Sequence, residues 1–129
     1  MAEENTHLRI LIIDDDISLS LFLKKALSQE GHTVVVEPHI QRALQLLSSE
    51  RFNILLCDLV LPGGDGSDII KIVKQQTEHP YCVLISGYYD KSFDNYKALV
   101  GADQIIGKPI TKEVLNDIVQ QYRLSHTEH

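Results

Sequence analysis

The stretch that decides the fold is residues 53–66, NILLCDLVLPGGDG. Its apolar run leads directly into the carboxylate of Asp58, and Pro62 and Gly63 end the segment soon afterwards. A short apolar run bounded by turn residues predicts a strand buried on both faces, at the centre of a parallel sheet. A carboxylate at the end of such a strand destabilises the folded state unless it has partners. The rest of the chain should therefore supply partners for Asp58.

Further short apolar runs on both sides of this stretch predict more strands, and apolar residues at helical spacing between them predict helices. The predicted strands are residues 8–13, 33–37, 54–58, 81–85 and 104–106, and the predicted helices lie around 17–30, 43–47, 69–73, 90–100 and 111–124. Asp16 and Asp65 stand where helix caps are expected. This alternation predicts an α/β three-layer sandwich with a parallel five-stranded sheet and five helices.

Composition limits the classes of function. The chain has 129 residues, which fits a single domain over 1–129, with a loose leader at 1–7 and a tail or linker start at 125–129. The net charge of −6 argues against nucleic-acid or anionic-membrane binding. No apolar run reaches the roughly 20 residues of a membrane span. Two cysteines without metal-ligand spacing favour a reducing cytoplasm.

The residues that carry chemistry follow the predicted strands, at the edge where parallel sheets hold their sites. They are Asp14, Asp15, Asp58, Ser86 and Lys108. Carboxylates a few ångströms apart repel by roughly 3–4 kcal/mol per pair at an effective dielectric near 20, and a divalent cation with one lysine relieves that repulsion. Oxygen ligands suit Mg²⁺, which often shares a phosphate with the protein. A hydroxyl can bind a phosphoryl oxygen, so the set indicates phosphoryl transfer to Asp58.

The sequence resembles the receiver domain of bacterial two-component response regulators, including the chemotaxis regulators, over essentially the whole chain. The motifs are the acidic pair after strand one, Asp58 with Pro62-Gly63, the hydroxyl after strand four and Lys108-Pro109. The segment 101–103, Gly-Ala-Asp, is also typical of that family. The resemblance implies a flavodoxin-like fold with strand order 2-1-3-4-5.

The resemblance also implies a role for each motif residue. Asp58 would accept the phosphoryl group from a phosphohistidine, Lys108 would pair with Asp58, and Ser86 with the Gly87 amide would bind the phosphoryl group. Mg²⁺ would be held by Asp15, Asp58 and the Val60 carbonyl, with Asp14 holding a metal-bound water. Such positioning and charge stabilisation are most of what phosphoryl transfer requires.

The implied protein is a cytoplasmic signalling switch that catalyses only its own phosphorylation and dephosphorylation. Its phosphodonor would be a sensor histidine kinase or a phosphotransfer protein. An output domain or protein partner would read the switch, and the resemblance leaves room for a homodimer on activation. The kinase, the signal and the output stay open, as does the choice between a stand-alone regulator and part of a longer chain.

Three other functions share parts of this pattern. A haloacid-dehalogenase-type phosphatase needs a second Asp two residues after the nucleophile, where this chain has Val60. A flavin-binding carrier needs a phosphate-binding first loop, whereas three aspartates there would repel phosphate. A degenerate receiver binds partners without phosphorylation, but the intact acidic pair, acceptor and lysine argue against it.

The chain departs from the family where the signal is usually transmitted. Ile105 stands at the penultimate position of strand five, where receivers usually have an aromatic ring that moves with the hydroxyl at Ser86. Asp94 and Asn95 fall at positions of the fourth helix that are usually small or apolar. We therefore expect activation to change the order or placement of residues 87–100, with Tyr88 or Tyr89 covering the site.

Three further expectations concern details of the structure. As in similar receivers, the Lys108–Pro109 bond should be cis. If Asp58 and Ser86 end their strands level, Cys57 lies opposite Ile85 and the two cysteines are too far apart for a disulfide, so both should be free, buried and inert. The six histidines lie in polar contexts and should be exposed.

Overall fold

Five parallel strands form the sheet at the centre of the molecule. In this computed structural model, which describes residues 7–87 and 100–126, the strands are β1 (Arg9–Ile13), β2 (Thr33–Val36), β3 (Ile54–Asp58), β4 (Tyr81–Ser86) and β5 (Gln104–Gly107). Their order is β2-β1-β3-β4-β5. The fold class and strand order are confirmed, and each strand lies within one residue of its predicted bounds. Since β3 is central, all five of its residues are buried.

Four helices are found in the described part of the chain. They are α1 (Ile17–Gln29), α2 (Ile40–Ser49), α3 (Gly66–Lys74) and α4 (Lys112–Ser125). Asp16 accepts a hydrogen bond from the Leu19 amide at 3.0 Å, and Asp65 accepts one from the Ser67 amide at 2.9 Å, so both predicted caps are confirmed. The helix predicted over 90–100 lies, except for its last residue, outside the described residues. No described helix is long and apolar enough to cross a bilayer.

The helices cover the two faces of the sheet and enclose two apolar cores. Because side chains alternate along a strand, neighbouring residues of β3 point into different cores. Leu55 and Cys57 contribute to the core under α2 and α3, whereas Ile54 and Leu56 contribute to the core under α1 and α4. Nearly every side chain of the sheet is therefore used for packing. Polar chemistry is left to the strand ends.

A small hairpin follows β3 and was not predicted. Val60–Leu61 pairs antiparallel with Gly64–Asp65, and Gly63 makes the turn with φ +83°. Glycine adopts such a positive φ without strain. Two-residue strands are too short to leave a periodic pattern in the sequence. The hairpin turns the chain directly from the end of β3 into α3.

The predicted register of β3 against β4 is wrong by one residue. Cys57 pairs with Leu84 and not with Ile85, so the register of β3 against β4 differs by one residue from the prediction. Cys82 then lies opposite Leu55, two residues from the level of Cys57. Two residues correspond to roughly 6.6 Å along a strand, and neighbouring strands are about 4.8 Å apart. The two offsets together place the Cα atoms of the cysteines about 8 Å apart, which still exceeds the roughly 7 Å limit for a disulfide.

Both thiols are free and buried, as predicted. Burial raises the pKa of the Cys57 thiol and raises that of Cys82 to about 12. Thiolates react and thiols do not, so both groups are inert at neutral pH.

The prediction that all six histidines are exposed is wrong for His32, which is only 8% exposed. Its Nδ1 accepts a hydrogen bond from the Leu8 amide at 3.1 Å. Burial lowers the pKa of His32, and the charge of Arg123 lowers it further. The neutral imidazole is therefore a structural hydrogen-bond acceptor at the start of β1.

Candidate functional site

Three carboxylates meet at the carboxyl ends of β1 and β3. Asp14 and Asp15 follow β1 directly, and Asp58 is the last residue of β3. One carboxylate oxygen from each lies within 4.8 Å of the others. Asp14 is completely buried, Asp58 is 7% exposed and Asp15 is exposed. The structure thus brings together the acidic residues that the sequence singled out.

The hydrogen bonding of Asp14 is incomplete among the described residues. Its Oδ1 accepts a hydrogen bond from the Asp16 amide at 2.9 Å, whereas its buried Oδ2 has no hydrogen-bond partner within the described chain. Burial raises the pKa of Asp14, and the backbone hydrogen bond and Lys108 oppose that rise. A buried carboxylate oxygen without a hydrogen bond, close to two more carboxylates, fits the ligand set of a hard divalent cation.

Asp58 has a similar electrostatic environment. Burial raises its pKa most, and the nearby charge of Asp14 raises it further. Lys108 and a hydrogen bond from the Val60 backbone act in the opposite direction. The carboxylate is therefore held in place and remains partly accessible, with 10% of its side chain exposed.

Lys108 contributes a cation to the cluster. Its Nζ lies 3.7 Å from Asp14 Oδ2 and 3.7 Å from Asp58 Oδ2. Its amide donates to the Ser86 carbonyl at 2.9 Å, which continues the pairing of β4 with β5. The Lys108–Pro109 bond is cis, as predicted. One ammonium placed between two carboxylates offsets part of their mutual repulsion.

Ser86 and Gly87 lie at the adjacent strand end. Ser86 is the last residue of β4, is 4% exposed and pairs with Gly107 of β5. Gly87 is exposed, and a Cβ added to it would meet no atom of the described residues within 4 Å. Ser86 and Gly87 therefore lie at the same edge of the sheet as the acidic cluster.

Of the remaining two predicted residues, Val60 contacts a carboxylate of the site and Ile105 lies in an apolar core. Val60, in the hairpin, hydrogen-bonds Asp58 through its backbone while its side chain is 74% exposed. Ile105 belongs to the apolar core under α2 and α3, where it packs with Leu84, its partner across the sheet, and Ala102. Ile105 is therefore a core residue without polar contact to the site.

Gly66 is a site-forming residue that the sequence reasoning did not identify. A Cβ at this position would collide with the carbonyl oxygen of Asp58 and lie 3.0 Å from Cys57 Sγ. The Gly66 amide donates to the Leu59 carbonyl at 2.7 Å. The available signal was a glycine at the first position of a helix, where most residues would be more stable. Close contact between α3 and the end of β3 requires it.

Comparison with known proteins agrees with this geometry. The family model described as response regulator receiver domain matches residues 10–120. Sporulation initiation phosphotransferase F of Bacillus subtilis (strain 168) is 26% identical over 114 residues, which make up 88% of this chain and 92% of that protein.

Solved receiver structures share the fold. A CheY-like response regulator receiver domain protein from Methanospirillum hungatei superposes with a TM-score of 0.84 at 26% identity, covering 95% of this chain and 98% of that one. The BeF3-activated receiver domain of Klebsiella pneumoniae RstA superposes with a TM-score of 0.79 at 25% identity, covering 88% and 97%. With the family model matching most of its length, this chain belongs to the response regulator receiver domain family of two-component signal transduction.

Proposed function

We propose that Asp58 is the phosphoacceptor of this receiver domain and takes its phosphoryl group from a phosphohistidine. One observation carries the proposal: three carboxylates lie within 4.8 Å of one another, and Lys108 is 3.7 Å from two of them. Such an arrangement is unfavourable by itself, because like charges in a partly buried site repel. It becomes favourable when a cation and a phosphoryl group are bound.

Accessibility selects Asp58 as the nucleophile over its neighbours. Asp14 is completely buried and its Oδ1 is occupied by the Asp16 amide. Asp58 ends the central strand and is held by the Val60 backbone with part of its side chain open. In the transfer, an Asp58 oxygen forms a bond to phosphorus while the N–P bond of the phosphohistidine breaks. The released imidazole keeps that electron pair and can take up a proton.

Asp14, Asp15 and Asp58, with the Val60 backbone carbonyl, are the residues that would hold Mg²⁺. The buried Oδ2 of Asp14, which accepts no hydrogen bond from the described residues, and the mutual proximity of the carboxylates support this assignment. When bound, Mg²⁺ supplies positive charge that offsets the charge of the phosphoryl oxygens. A resident cation would also stabilise the folded protein by offsetting the carboxylate repulsion.

Lys108, Ser86 and the Gly87 amide are proposed to bind the transferred phosphoryl group. Lys108 is already directed at Asp58, and its backbone is fixed to the carbonyl of Ser86. Preorganised donors at the place where charge develops typically account for the largest share of such catalysis. The catalysis extends only to this domain's own phosphorylation and dephosphorylation, so the chain acts as a switch.

The surface around the site supports a protein as the phosphodonor. Three large apolar side chains near the acidic loop and the hairpin are strongly exposed: Ile17 by 60%, Leu21 by 61% and Val60 by 74%. Exposed apolar side chains near a polar site are typical of protein docking surfaces. A sensor histidine kinase or a phosphotransfer protein is therefore the proposed partner, in the cytoplasm, where free thiols such as Cys57 and Cys82 stay reduced.

The response to phosphorylation is proposed to bypass Ile105. This residue is packed in the core and carries no hydroxyl with which to report a movement of Ser86. The change expected over residues 87–100, with Tyr88 or Tyr89 covering the site, falls on a segment of which only Gly87 and Val100 are among the described residues. Asp94 and Asn95 of the fourth predicted helix also lie outside them. The change stays a prediction.

The test uses a small phosphodonor such as phosphoramidate, with and without Mg²⁺. The wild-type protein should gain one phosphoryl group in intact-mass measurements, and Asp58→Asn should gain none. Asp65→Asn is the matched control, because Asp65 caps α3 seven residues away and should leave incorporation unchanged. Equal incorporation into wild type and Asp58→Asn would overturn the assignment of Asp58. Incorporation unaffected by a chelator would overturn the proposed cation.

A further inference from the structure

We propose that Asp103 is a positioning residue for Lys108 and acts by fixing the register of β5. The inference rests on the proposed function, since it concerns how Lys108 reaches Asp58. The decisive observation is that Asp103 ties the start of β5 to two neighbouring elements at once. Lys108 is carried by the other end of the same short strand.

β5 is weakly held for a strand that carries a site residue. Among the described strands it lies at one edge of the sheet and pairs only with β4, from Val83–Gln104 to Ser86–Gly107. Edge strands lack the second ladder of hydrogen bonds that fixes a central strand such as β3. A slip by one residue would move Lys108 by about 3.3 Å and reverse every side chain of the strand.

Asp103 opposes such a slip through two hydrogen bonds to the backbone of Cys82, one in each direction. Its backbone amide donates to the Cys82 carbonyl at 2.8 Å, and its Oδ2 accepts from the Cys82 amide at 2.8 Å. The carboxylate thus replaces a backbone acceptor at the point where the ladder begins. Lys108 closes the other end of the ladder through its own amide and the Ser86 carbonyl, at 2.9 Å. The two-way connection of Asp103 with Cys82, here called the Asp103 clamp, therefore precedes the four-residue strand β5, and Lys108 follows it.

Lys74 extends this connection to α3. Its Nζ lies 3.1 Å from Asp103 Oδ1 and 3.0 Å from Oδ2, and both side chains are largely buried, with 23% and 30% exposed. Lys74 is the last residue of α3, and a Cβ on the first residue, Gly66, would collide with the carbonyl of Asp58. One rigid helix therefore runs from the phosphoacceptor to the clamp, so Asp103 relates β5 to Asp58 by a second path besides the sheet.

Other ion pairs in the described part of the chain do not have this construction. Arg51 and Glu78 pair at 2.6 Å with side chains 82% and 67% exposed, and neither belongs to a strand. Arg9 and Glu50 pair at the surface near the start of β1. Asp103 differs because its carboxylate takes part in the hydrogen bonding between two strands, of which β4 ends in Ser86 and β5 leads directly into Lys108.

The experiment measures the rate of phosphorylation by phosphoramidate at saturating Mg²⁺ in Asp103→Ala, Asp103→Asn and Val34→Ala. Val34 is buried in β2, at the opposite edge of the sheet, so its truncation destabilises the fold without touching β5. Asp103→Ala should slow the reaction about 10-fold or more, since displacements of about 1 Å can cost up to about 100-fold. Asp103→Asn keeps an acceptor for the Cys82 amide and should restore most of the rate, and Val34→Ala should stay near the wild type.

A double-variant comparison separates positioning from general destabilisation. If Asp103 acts through Lys108, the change Asp103→Ala should slow the wild type strongly but leave Lys108→Met almost unchanged. Lys74→Met provides a milder perturbation if Asp103→Ala does not fold, and it should show the same dependence on Lys108. Equal slowing by Asp103→Ala with and without Lys108, or by Val34→Ala at a matched melting temperature, would overturn the inference alone. A wild-type protein that takes up no phosphoryl group would overturn the proposed function as well.

Discussion

Buried polar groups differ between the two ends of the parallel strands, here called the amino edge and the carboxyl edge of the sheet. At the amino edge the polar groups have close partners: Asn53 accepts from the Arg9 amide at 2.8 Å and donates to the Tyr122 hydroxyl at 2.9 Å. His32 accepts from Leu8, and Asp103 accepts from Cys82 and pairs with Lys74. These side chains replace backbone partners where strands begin. The amino edge is therefore a stabilising structure.

At the carboxyl edge the same sheet leaves charges incompletely matched. Asp14, Asp15 and Asp58 lie together, and one buried oxygen of Asp14 has no hydrogen bond from the described residues. Lys108 approaches two of the carboxylates only to 3.7 Å. The unmatched charge at the carboxyl edge lowers the stability of the folded state, and the proposed binding of a cation and a phosphoryl group would relieve it.

The largest effect is expected from Lys108→Met. Removing the cation that faces Asp58 should slow phosphorylation by about 100-fold or more, as the loss of one preorganised charge-stabilising donor typically does. Lys112→Met, in the exposed first turn of α4, is the control and should change the rate little. Rates with a small phosphodonor measure both. Similar rates for the two variants would show that Lys108 does not act on the phosphoryl group.

A comparison of two glycines tests the junction between β3 and α3. Gly66→Ala should destabilise the protein by about 2–3 kcal/mol, because its Cβ collides with backbone atoms that cannot move easily. Gly64→Ala should cost less, since its Cβ would meet only the end of the Ile40 side chain at 2.6 Å, which can rotate away. Urea unfolding of both variants gives the values. If Gly64→Ala is the more damaging, the described contact with Asp58 is not what requires Gly66.

The pH dependence of stability tests the amino edge. The pKa of His32 is lowered by burial, by Arg123 and by His7, with Glu30 opposing. The unfolded state then binds the proton more tightly, so His32 stabilises fully above about pH 6.5 and this contribution is lost as the pH falls towards the folded-state pKa.

His32→Asn is the informative variant for this dependence. An asparagine can still accept from the Leu8 amide but does not titrate in this range. Its unfolding free energy should therefore fall less between pH 7 and pH 5 than that of the wild type. Parallel curves for the two proteins would mean that His32 is not the group responsible.

Much of this structure could be predicted from local patterns. Short apolar runs identify the five strands, and strand ends identify Asp14, Asp58 and Lys108, because parallel topology brings such ends to one edge. The caps Asp16 and Asp65 could be predicted because each carboxylate stands just before an apolar helical pattern, where it can accept a hydrogen bond from a first-turn amide.

Features that depend on contacts between distant segments were not predicted. The register of Cys57 against Leu84 is set by packing across two strands, and no local signal distinguishes it from the neighbouring register. His32 lies in a polar segment, and its burial against Leu8, 24 positions away, has no signal in the neighbouring sequence. The Asp103 clamp joins residues 21 and 29 positions apart, so its partners are not visible in the sequence around it.

The contrast between the two edges is tested most directly by the same isosteric change at each: Asp14→Asn and Asp103→Asn, compared by chemical unfolding at neutral pH with a chelator present. The raised pKa of Asp14 means that its ionised form is disfavoured in the folded state, so stability is lost as the pH rises from the unfolded pKa through the folded one and remains lost at neutral pH. Asp14→Asn should therefore stabilise the protein, and Asp103→Asn should destabilise it through the weakened pair with Lys74, each by about 1 kcal/mol. Opposite signs are the predicted result, and destabilisation of both variants to the same extent would contradict the account.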